Sequence, residues 1–583
     1  MENMINLTID GVQVSVPAGS TVLEAARQAN IHIPTLCYLK DVNQIGACRV
    51  CVVDVGARAL QAACVYPVSE GLVVKTNTPA VREARKTVVE LLLSIHDRKC
   101  LSCVRNNNCE LQDLCRDLGI EDDNYYAGGV NHYEVDDASP CVVRDNNKCV
   151  LCRRCVAACH NLQNVGVIGA VRRGFNTAIE SPWSLKLAQT GCVNCGQCIV
   201  ACPVGALREK DSIKPVQALL NGPKHVVVQP APAVRAALGE EFGLPMGTSV
   251  TGKMVAALRR LGFDKVFDTD FGADLTILEE GTELVQRLTN KGVLPMITSC
   301  SPGWIKYCET YNPDFLPNLS SCKSPHEMLG AVIKSYYAEK AGIDPQNIAV
   351  VSVMPCTAKK FEAKRPELSA NGLQDVDEVI TTRELARMIR AAGIDFANLP
   401  DEDFDSLLGE STGAGVIFGA TGGVMEAALR FAYEAVTGKE LEKVEFHEVR
   451  GLKGVKEAEI DLNGTKINVA VAHGTGNAQQ LLDSVRSGEK QYQFIEIMCC
   501  PGGCVTGGGQ PIVKSDVRMG VNVSAERAKA LYGEDEGKPR RKSQDNEELK
   551  VLYKDYLGEP GSHKAHHLLH TTYVARDKYE QIK

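Results

Sequence analysis

Eight cysteines between positions 149 and 202 constrain this chain more than any other feature. They fall in two runs of one spacing, Cys149, Cys152, Cys155 and Cys159, then Cys192, Cys195, Cys198 and Cys202 with Pro203 directly behind. Each run reads C-x2-C-x2-C-x3-C. A disulfide framework belongs to short secreted chains. Here 24 Cys are spread over 583 residues, many of them as C-x-x-C. The opening stretch Met1-Glu2-Asn3-Met4-Ile5-Asn6 has neither a signal-peptide charge nor a hydrophobic core. Cluster ligation is therefore the reading, in a chain expected to be cytoplasmic.

In this spacing the fourth cysteine of each run serves the cluster of the other run, the bacterial two-cluster ferredoxin pattern. One [4Fe–4S] cubane is then expected on Cys149, Cys152, Cys155 and Cys202, and a second on Cys192, Cys195, Cys198 and Cys159. The domain is drawn over residues 127–210. Cys141 fits no ligand spacing.

Three more cysteine segments lie far downstream. They are Thr298-Ser299-Cys300-Ser301-Pro302-Gly303-Trp304, Val353-Met354-Pro355-Cys356-Thr357-Ala358-Lys359-Lys360, and Ile497-Met498-Cys499-Cys500-Pro501-Gly502-Gly503-Cys504, which runs on to Gly507-Gly508-Gly509. Each is bounded by Pro or Gly, and glycine lets backbone wrap closely around a bulky inorganic group. Apolar runs read as strands at Val293–Ile297, Ile348–Met354 and Phe494–Met498, each feeding one of these loops. Chemistry at the carboxyl ends of strands is the α/β arrangement. Further elements are expected as strands at His225–Gln229 and Lys265–Asp268 and helices at Gly252–Leu261 and Ala273–Leu288. The stretch after Ala414–Phe418, Gly419-Ala420-Thr421-Gly422-Gly423, lacks the Lys of a phosphate loop, and no GxGxxG is present.

These three segments, in this order, resemble the signature motifs of the [FeFe] hydrogenases. The resemblance implies an α/β catalytic domain over 211–583 that interconverts protons, electrons and H2 at an H-cluster. That group is a [4Fe–4S] cubane joined through one cysteine to a two-iron unit with CO, cyanide and an amine-dithiolate. It implies roles for side chains as well: Lys359 toward a cyanide, Met354 and Met498 as polarizable walls, and Pro232 and Ala233 in the loop facing the second cyanide, where the family often has Ser at position 233. Glu280, Glu283 and Arg287 lie at i, i+3 and i+7 of one helix and so share a face. With Ser320 they resemble the family's proton relay, Arg287 at its surface end.

The resemblance extends over the N-terminal part. Residues 1–79 open with alternation around Asp10-Gly11, a hairpin signal, and a helix from Thr21 to Asn30, in a β-grasp-like domain. Cys37, Cys48, Cys51 and Cys64 suit a [2Fe–2S] cluster, with structural zinc the alternative. Their spacing resembles the ferredoxin-like domain of complex I and of long hydrogenases. Residues 80–126 carry a helix from Val81 to Ile95, then His96, Cys100, Cys103 and Cys109. This resembles the mixed-ligand [4Fe–4S] domain of the same enzymes, and leaves Cys115 as an apolar filler.

Two positions depart from the family pattern. The family commonly has adjacent cysteines at 300 and 301, the first a relay thiol and the second a cubane ligand; here Ser301 stands second. It commonly has Ala at 499; here there is Cys499. Because iron–sulfur centres prefer thiolate to hydroxyl, Cys300 is expected to ligate the cubane with Cys356, Cys500 and Cys504, and Cys499 to relay protons. The rival keeps Cys300 as relay and leaves the fourth iron to Ser301 or Cys499.

A net charge of −8 argues against nucleic acid, and no apolar run reaches the length of a membrane span. Without a flavin or NAD fingerprint, any NAD reaction belongs to another subunit. The expected partners are ferredoxin, or flavin- and NAD-binding subunits of an electron-bifurcating complex. An electron-relay subunit like that of complex I or a formate dehydrogenase shares only the first 210 residues, and a hydrogenase-like assembly factor lacks the dense cluster array. The tail from Glu534 is charged, and His563, His566, His567 and His570 are expected on a solvated helical face.

Overall fold

The fold is described from a computed structural model for residues 3–121, 129–370, 372–441, 443–462 and 464–579. The expected boundary at 126–127 lies outside the described residues.

The first domain is a small mixed sheet. Met4–Ile9 and Val12–Pro17 pair antiparallel with Ile9 opposite Val12, and Val73–Val74 adds parallel to the first strand. Asp10 and Gly11 both have positive φ (48° and 86°), the hairpin turn that matches strand twist. The helix Val22–Gln28 starts at a capping box between Thr21 and Glu24. Next comes the helix Pro79–Leu93, capped by Thr78 with Pro at its first position, where a missing N–H costs nothing.

The ferredoxin domain places left-handed residues at matching points of its two cysteine runs. Leu151 (φ 54°) and Arg153 (φ 62°) interrupt the first, Asn194 (φ 61°) and Gly196 (φ 69°) the second. These reversals curl each loop around its own interior. Gly196 is fixed further by crowding, since a Cβ there would stand 2.5 Å from Thr357 Oγ1.

The C-terminal part has two lobes. One sheet has the order Lys265–Val266, His225–Pro230, Ile348–Met354, Glu378–Thr381, all parallel. The other runs Met296–Ile297, Phe494–Met498, Thr465–His473, Val455–Leu462, antiparallel only at its last pair. The strand expected over Val293–Ile297 shortens to two residues, because Pro295 has no N–H to give a ladder. The strand expected over Lys265–Asp268 also stops early, at Val266. Asp268 instead caps the helix Thr269–Thr289 by accepting from the Asp270 amide, so that helix begins a turn before Ala273.

That helix lies between the lobes. Phe271, Leu275 and Leu278 join the core of the first sheet, whereas Ala273, Ile277 and Leu284 join that of the second. A helix covered on two sides buries even its acidic residues, and Glu279 and Glu280 are each 1% exposed. The glycine stretch after Phe418 opens the helix Gly423–Thr437. Its first amides are occupied: Gly422 N–H and Met425 N–H each donate to the Glu496 carboxylate at 2.7 Å.

The C-terminal tail is part of this core, which corrects the expectation of a solvated segment. Asp535 is fully buried and pairs with Arg430 and Arg541. The helix His563–Leu569 buries Ala565, Leu568 and Leu569, which carries His570 inward. His563, His566 and His567 are exposed, but His570 bonds Ser321 Oγ through Nδ1 (2.8 Å) and faces Glu279 through Nε2 (3.2 Å).

Candidate active site and its cysteine loops

The three C-terminal cysteine loops meet between the lobes. Ile348–Met354 of one sheet delivers Cys356, while Met296–Ile297 and Phe494–Met498 of the other deliver Cys300 and Cys500. Together with Pro232, Met354, Lys359, Met498, Ser301, Cys499 and Cys504 they line one cavity. Ala233 is not in this wall. It packs against Gly419 one layer below, and its carbonyl accepts from Gln510 Nε2 at 2.7 Å. Thr269, Ala273, Phe418 and His326 also line the cavity, as does Cys195. The first four come from segments without a motif, so no sequence pattern pointed to them.

The cavity fits a bulky cluster held by thiolates. Cys356 and Cys504 lie close to the Cys500 thiol; Cys500 is buried and the other two are half-buried. Around them a Cβ at Gly503 would stand 2.6 Å from Thr421 N, at Gly507 2.2 Å from Pro355 O, and at Gly508 2.3 Å from Cys195 O. Only glycine permits this closeness. Lys359 is buried, and its Nζ donates to Glu362 at 2.7 Å and to the Cys300 carbonyl at 3.2 Å. Burial alone would lower its pKa, but Glu362 outweighs it and holds the ammonium charged. Glu362 also accepts a bond from His326 at 2.8 Å.

The residues expected to form a relay lie in a file beside the cavity. Both Glu280 oxygens are buried without a partner of hydrogen-bonding geometry, although Ser320 and the Ser299 backbone lie nearby. Burial first, then the charge of Glu283, pushes the Glu280 carboxyl up to about 8. Glu283 accepts from Ser320 Oγ (2.9 Å), the Ser321 amide (3.1 Å) and Arg287 (2.6 and 3.1 Å). Arg287 is half-buried and also donates to Leu319 O. Glu279, one residue before Glu280, is tied into the tail by Tyr553, the Gly561 amide and His570.

The two thiols at the departures from the family pattern both line the cavity but pack in different cores. The charge of Glu280, after burial, is the main influence raising the Cys300 thiol well above its usual pKa. Cys300 packs in the core of Ala273, Ile277 and Met498. Cys499 packs instead with Trp304 and Tyr307, its thiol within hydrogen-bonding reach of Cys195 and Cys500. The thiol beside Glu280 is therefore Cys300.

The upstream cysteines gather into groups. Cys37 reaches Cys48 and Cys64, and Cys51 reaches Cys64. Cys149, Cys152, Cys155 and Cys202 line one cavity; Cys159, Cys192, Cys195 and Cys198 line another. His96 has a buried Nδ1 without a partner, and burial lowers its pKa, so the ring is neutral and free to ligate. Cys109 lies close to Cys103. Cys100 and Cys103 stand half-buried on the same loop. Cys141 is fully buried in the ferredoxin core, whereas Cys115 is only half-buried against it.

These groups adjoin. Asn43 Nδ2 donates to the carbonyls of both Cys37 (2.7 Å) and Cys152 (3.1 Å). Arg105, between Cys103 and Cys109, donates to Cys202 O at 3.1 Å. At the far end Gly508 lies against Cys195 and Gly196, and Thr357 Oγ1 donates to Asn194 O at 2.7 Å.

Residues 224–508 match the iron only hydrogenase large subunit, C-terminal domain, and residues 521–576 the iron hydrogenase small subunit. NADP-reducing hydrogenase subunit HndD of Solidesulfovibrio fructosivorans is 52% identical over 99% of this chain and 100% of that protein. The chain belongs to the iron hydrogenases. This iron hydrogenase is also 46% identical to iron hydrogenase 1 of Clostridium pasteurianum, over 98% of this chain and 100% of that one. Its fold is similar to that of apo [FeFe]-hydrogenase HydA1 from Chlamydomonas reinhardtii, with 45% identity and a TM-score of 0.57 over 63% of this chain and 100% of that one.

Upstream, residues 2–79 match a 2Fe-2S iron-sulfur cluster binding domain, 85–124 the NADH-ubiquinone oxidoreductase-G iron-sulfur binding region, and 148–206 a 4Fe-4S dicluster domain. The hydrogenase therefore carries 2Fe-2S and 4Fe-4S domains ahead of an H-cluster domain, and it is an oxidoreductase acting on H2. An electron-relay subunit without the catalytic domain is not favoured. The match at 521–576 accounts for the buried tail, which the charge pattern alone had hidden. Among the described residues no helix is long and apolar enough to cross a membrane.

Proposed function

We propose that this hydrogenase is the H2-activating subunit of a cytoplasmic, NAD- and ferredoxin-linked complex, fed through four accessory clusters. These are one [2Fe–2S] cluster on Cys37, Cys48, Cys51 and Cys64, a cubane on His96, Cys100, Cys103 and Cys109, and the two crossed ferredoxin cubanes. The carrying observation is the unbroken adjacency of these groups. Two inputs, one through Asn43 and one through Arg105, converge on the site of Cys149, Cys152, Cys155 and Cys202. The second ferredoxin site follows, and its Cys195 abuts the catalytic loops. A branched input suits two donors of different kinds. The full-length likeness to HndD, by name a subunit of an NADP-reducing hydrogenase, supports the multi-subunit reading. The parts are taken as 1–79, 80–126, 127–210 and 211–583.

When bound, the H-cluster supplies the open iron and the amine base of the reaction. The chain's own groups position it and move protons. Lys359, kept charged by Glu362, offers a charge-assisted hydrogen bond to an anionic ligand, and Met354 and Met498 supply a dry, polarizable wall. Glu280 is neutral at pH 7, so it can donate a proton inward and take one from Glu283 through Ser320. Arg287 holds Glu283 at the outer end.

Native purification tests the complex: flavoprotein subunits co-eluting with the chain support it. The isolated chain is expected to evolve H2 from a reduced low-potential dye, to be inhibited by CO, and to give none from NADH. NADH-driven H2 release by the pure single chain would overturn the multi-subunit reading and favour a self-contained enzyme.

A further inference from the structure

We infer that Cys499 supplies the fourth thiolate of the H-cluster cubane, which leaves Cys300 free as the relay thiol. The inference deepens the reading of the cavity as an H-cluster site and rests on it. Three thiols, Cys356, Cys500 and Cys504, gather at one end of the cavity, and a cubane needs one more ligand. Ser301 is a poor candidate, because a soft iron–sulfur centre selects thiolate over a neutral hydroxyl. Its hydroxyl is also engaged, accepting the Cys499 backbone N–H at 3.2 Å.

That same bond brings position 499 up against position 301. The Cys499 thiol lies within reach of the Cys500 thiol. It fits because residue 303 is glycine: a Cβ there would stand 2.7 Å from Cys499 Sγ. The thiol absent at 301 is thus replaced from the facing strand end, across a contact one residue wide. No shift of the Cys300 loop is needed.

Cys300 cannot serve both roles. It lies near Cys504 but stands closer in influence to Glu280, and it packs in a different core from Cys499. Cys499 has the aromatic wall of Trp304 and Tyr307 behind it, and its other thiol neighbour is Cys195. Cys195 already belongs to a group of four with Cys159, Cys192 and Cys198, so that site does not require Cys499. As a ligand, Cys499 would bring the sulfurs of adjacent clusters into contact, giving electrons a short last step.

The test uses the full chain produced without maturation enzymes and reconstituted anaerobically with iron and sulfide, so that only cubanes and the [2Fe–2S] cluster form. Iron per chain and the cluster EPR and Mössbauer spectra are read. Cys499→Ala is expected to lose about four irons and one cubane signal while keeping the accessory signals, which also report correct folding. The double variant Ser301→Cys with Cys499→Ala is expected to regain them. Cys300→Ala is expected to keep all its iron yet, once matured, to turn over about 10²–10⁴-fold more slowly. Full iron in Cys499→Ala, no recovery in the double variant, or cubane loss in Cys300→Ala overturns the assignment. A parent chain with its accessory clusters but no further cubane would instead refute the reading of the cavity, and the assignment with it.

Discussion

Glu283→Gln separates a proton relay from an ordinary buried ion pair. Glu283 and Arg287 have side chains only 14% and 16% exposed, so their pairing is weakly screened. Glutamine keeps an acceptor for Arg287 and Ser320 but removes the charge. The structural cost is therefore about 1–3 kcal/mol, below the 3–5 kcal/mol typical when a buried charge loses its partner outright. The catalytic cost is of another kind, because an amide cannot accept and release a proton. Losing one acid–base step costs about 10²–10⁴-fold, or roughly 3–5 kcal/mol of barrier. The variant also removes a like charge next to Glu280, so the Glu280 pKa falls from about 8 toward lower values. Dye-driven H2 evolution, measured across about pH 6–9 at matched iron content, should show the slow rate, with the remaining profile moved to lower pH. A rate within about threefold of the parent at intact iron content would refute the relay.

Glu280→Gln should shift stability with a definite sign. Folding raises the Glu280 pKa from 4.5 to about 8, so the folded state binds the extra proton and the parent loses stability as pH rises through that window, by at most about 1.4 kcal/mol per unit. Denaturant midpoints at pH 5 and 8 should move in the variant's favour at the higher pH; parallel midpoints would refute it. Gly508→Ala should push the ferredoxin loop off the catalytic loops, since its Cβ would stand 2.3 Å from Cys195 O and 2.7 Å from the Gly196 Cα. Ferredoxin-driven turnover should fall while all accessory clusters remain, and an unchanged rate would show that the contact is not on the electron path. Thr21→Ala removes one half of a capping box and should weaken the [2Fe–2S] domain by about 1 kcal/mol, read as faster amide exchange in residues 22–28.

Local chemistry made much of the chain legible before any fold. Cysteine spacing pointed to groups of thiols that the fold gathers around common cavities, because a C-x-x-C loop brings its thiols together with little help from elsewhere. Asp10-Gly11 fixed the first hairpin for a similar reason, since left-handed backbone is a property of those two residues. The strands Ile348–Met354 and Phe494–Met498 were readable from composition because parallel strands buried on both faces are mostly apolar, here broken only by Ser352 and Glu496.

Only the tertiary structure could decide the rest. Glu280 carries the same side chain as any surface glutamate, and its raised pKa comes from two lobes closing on one helix. His570 looked solvent-facing in a polar tail until the burial of Leu568 and Leu569 turned it toward Glu279. Ala233 sat in the right loop but one layer too deep. Which of Cys300 and Cys499 faces Glu280 depends on where two strand ends from distant parts of the chain meet, and residue preference alone pointed the other way. Sequence states which atoms can ligate or carry a proton; packing determines which of them share a wall, and so which role each one takes.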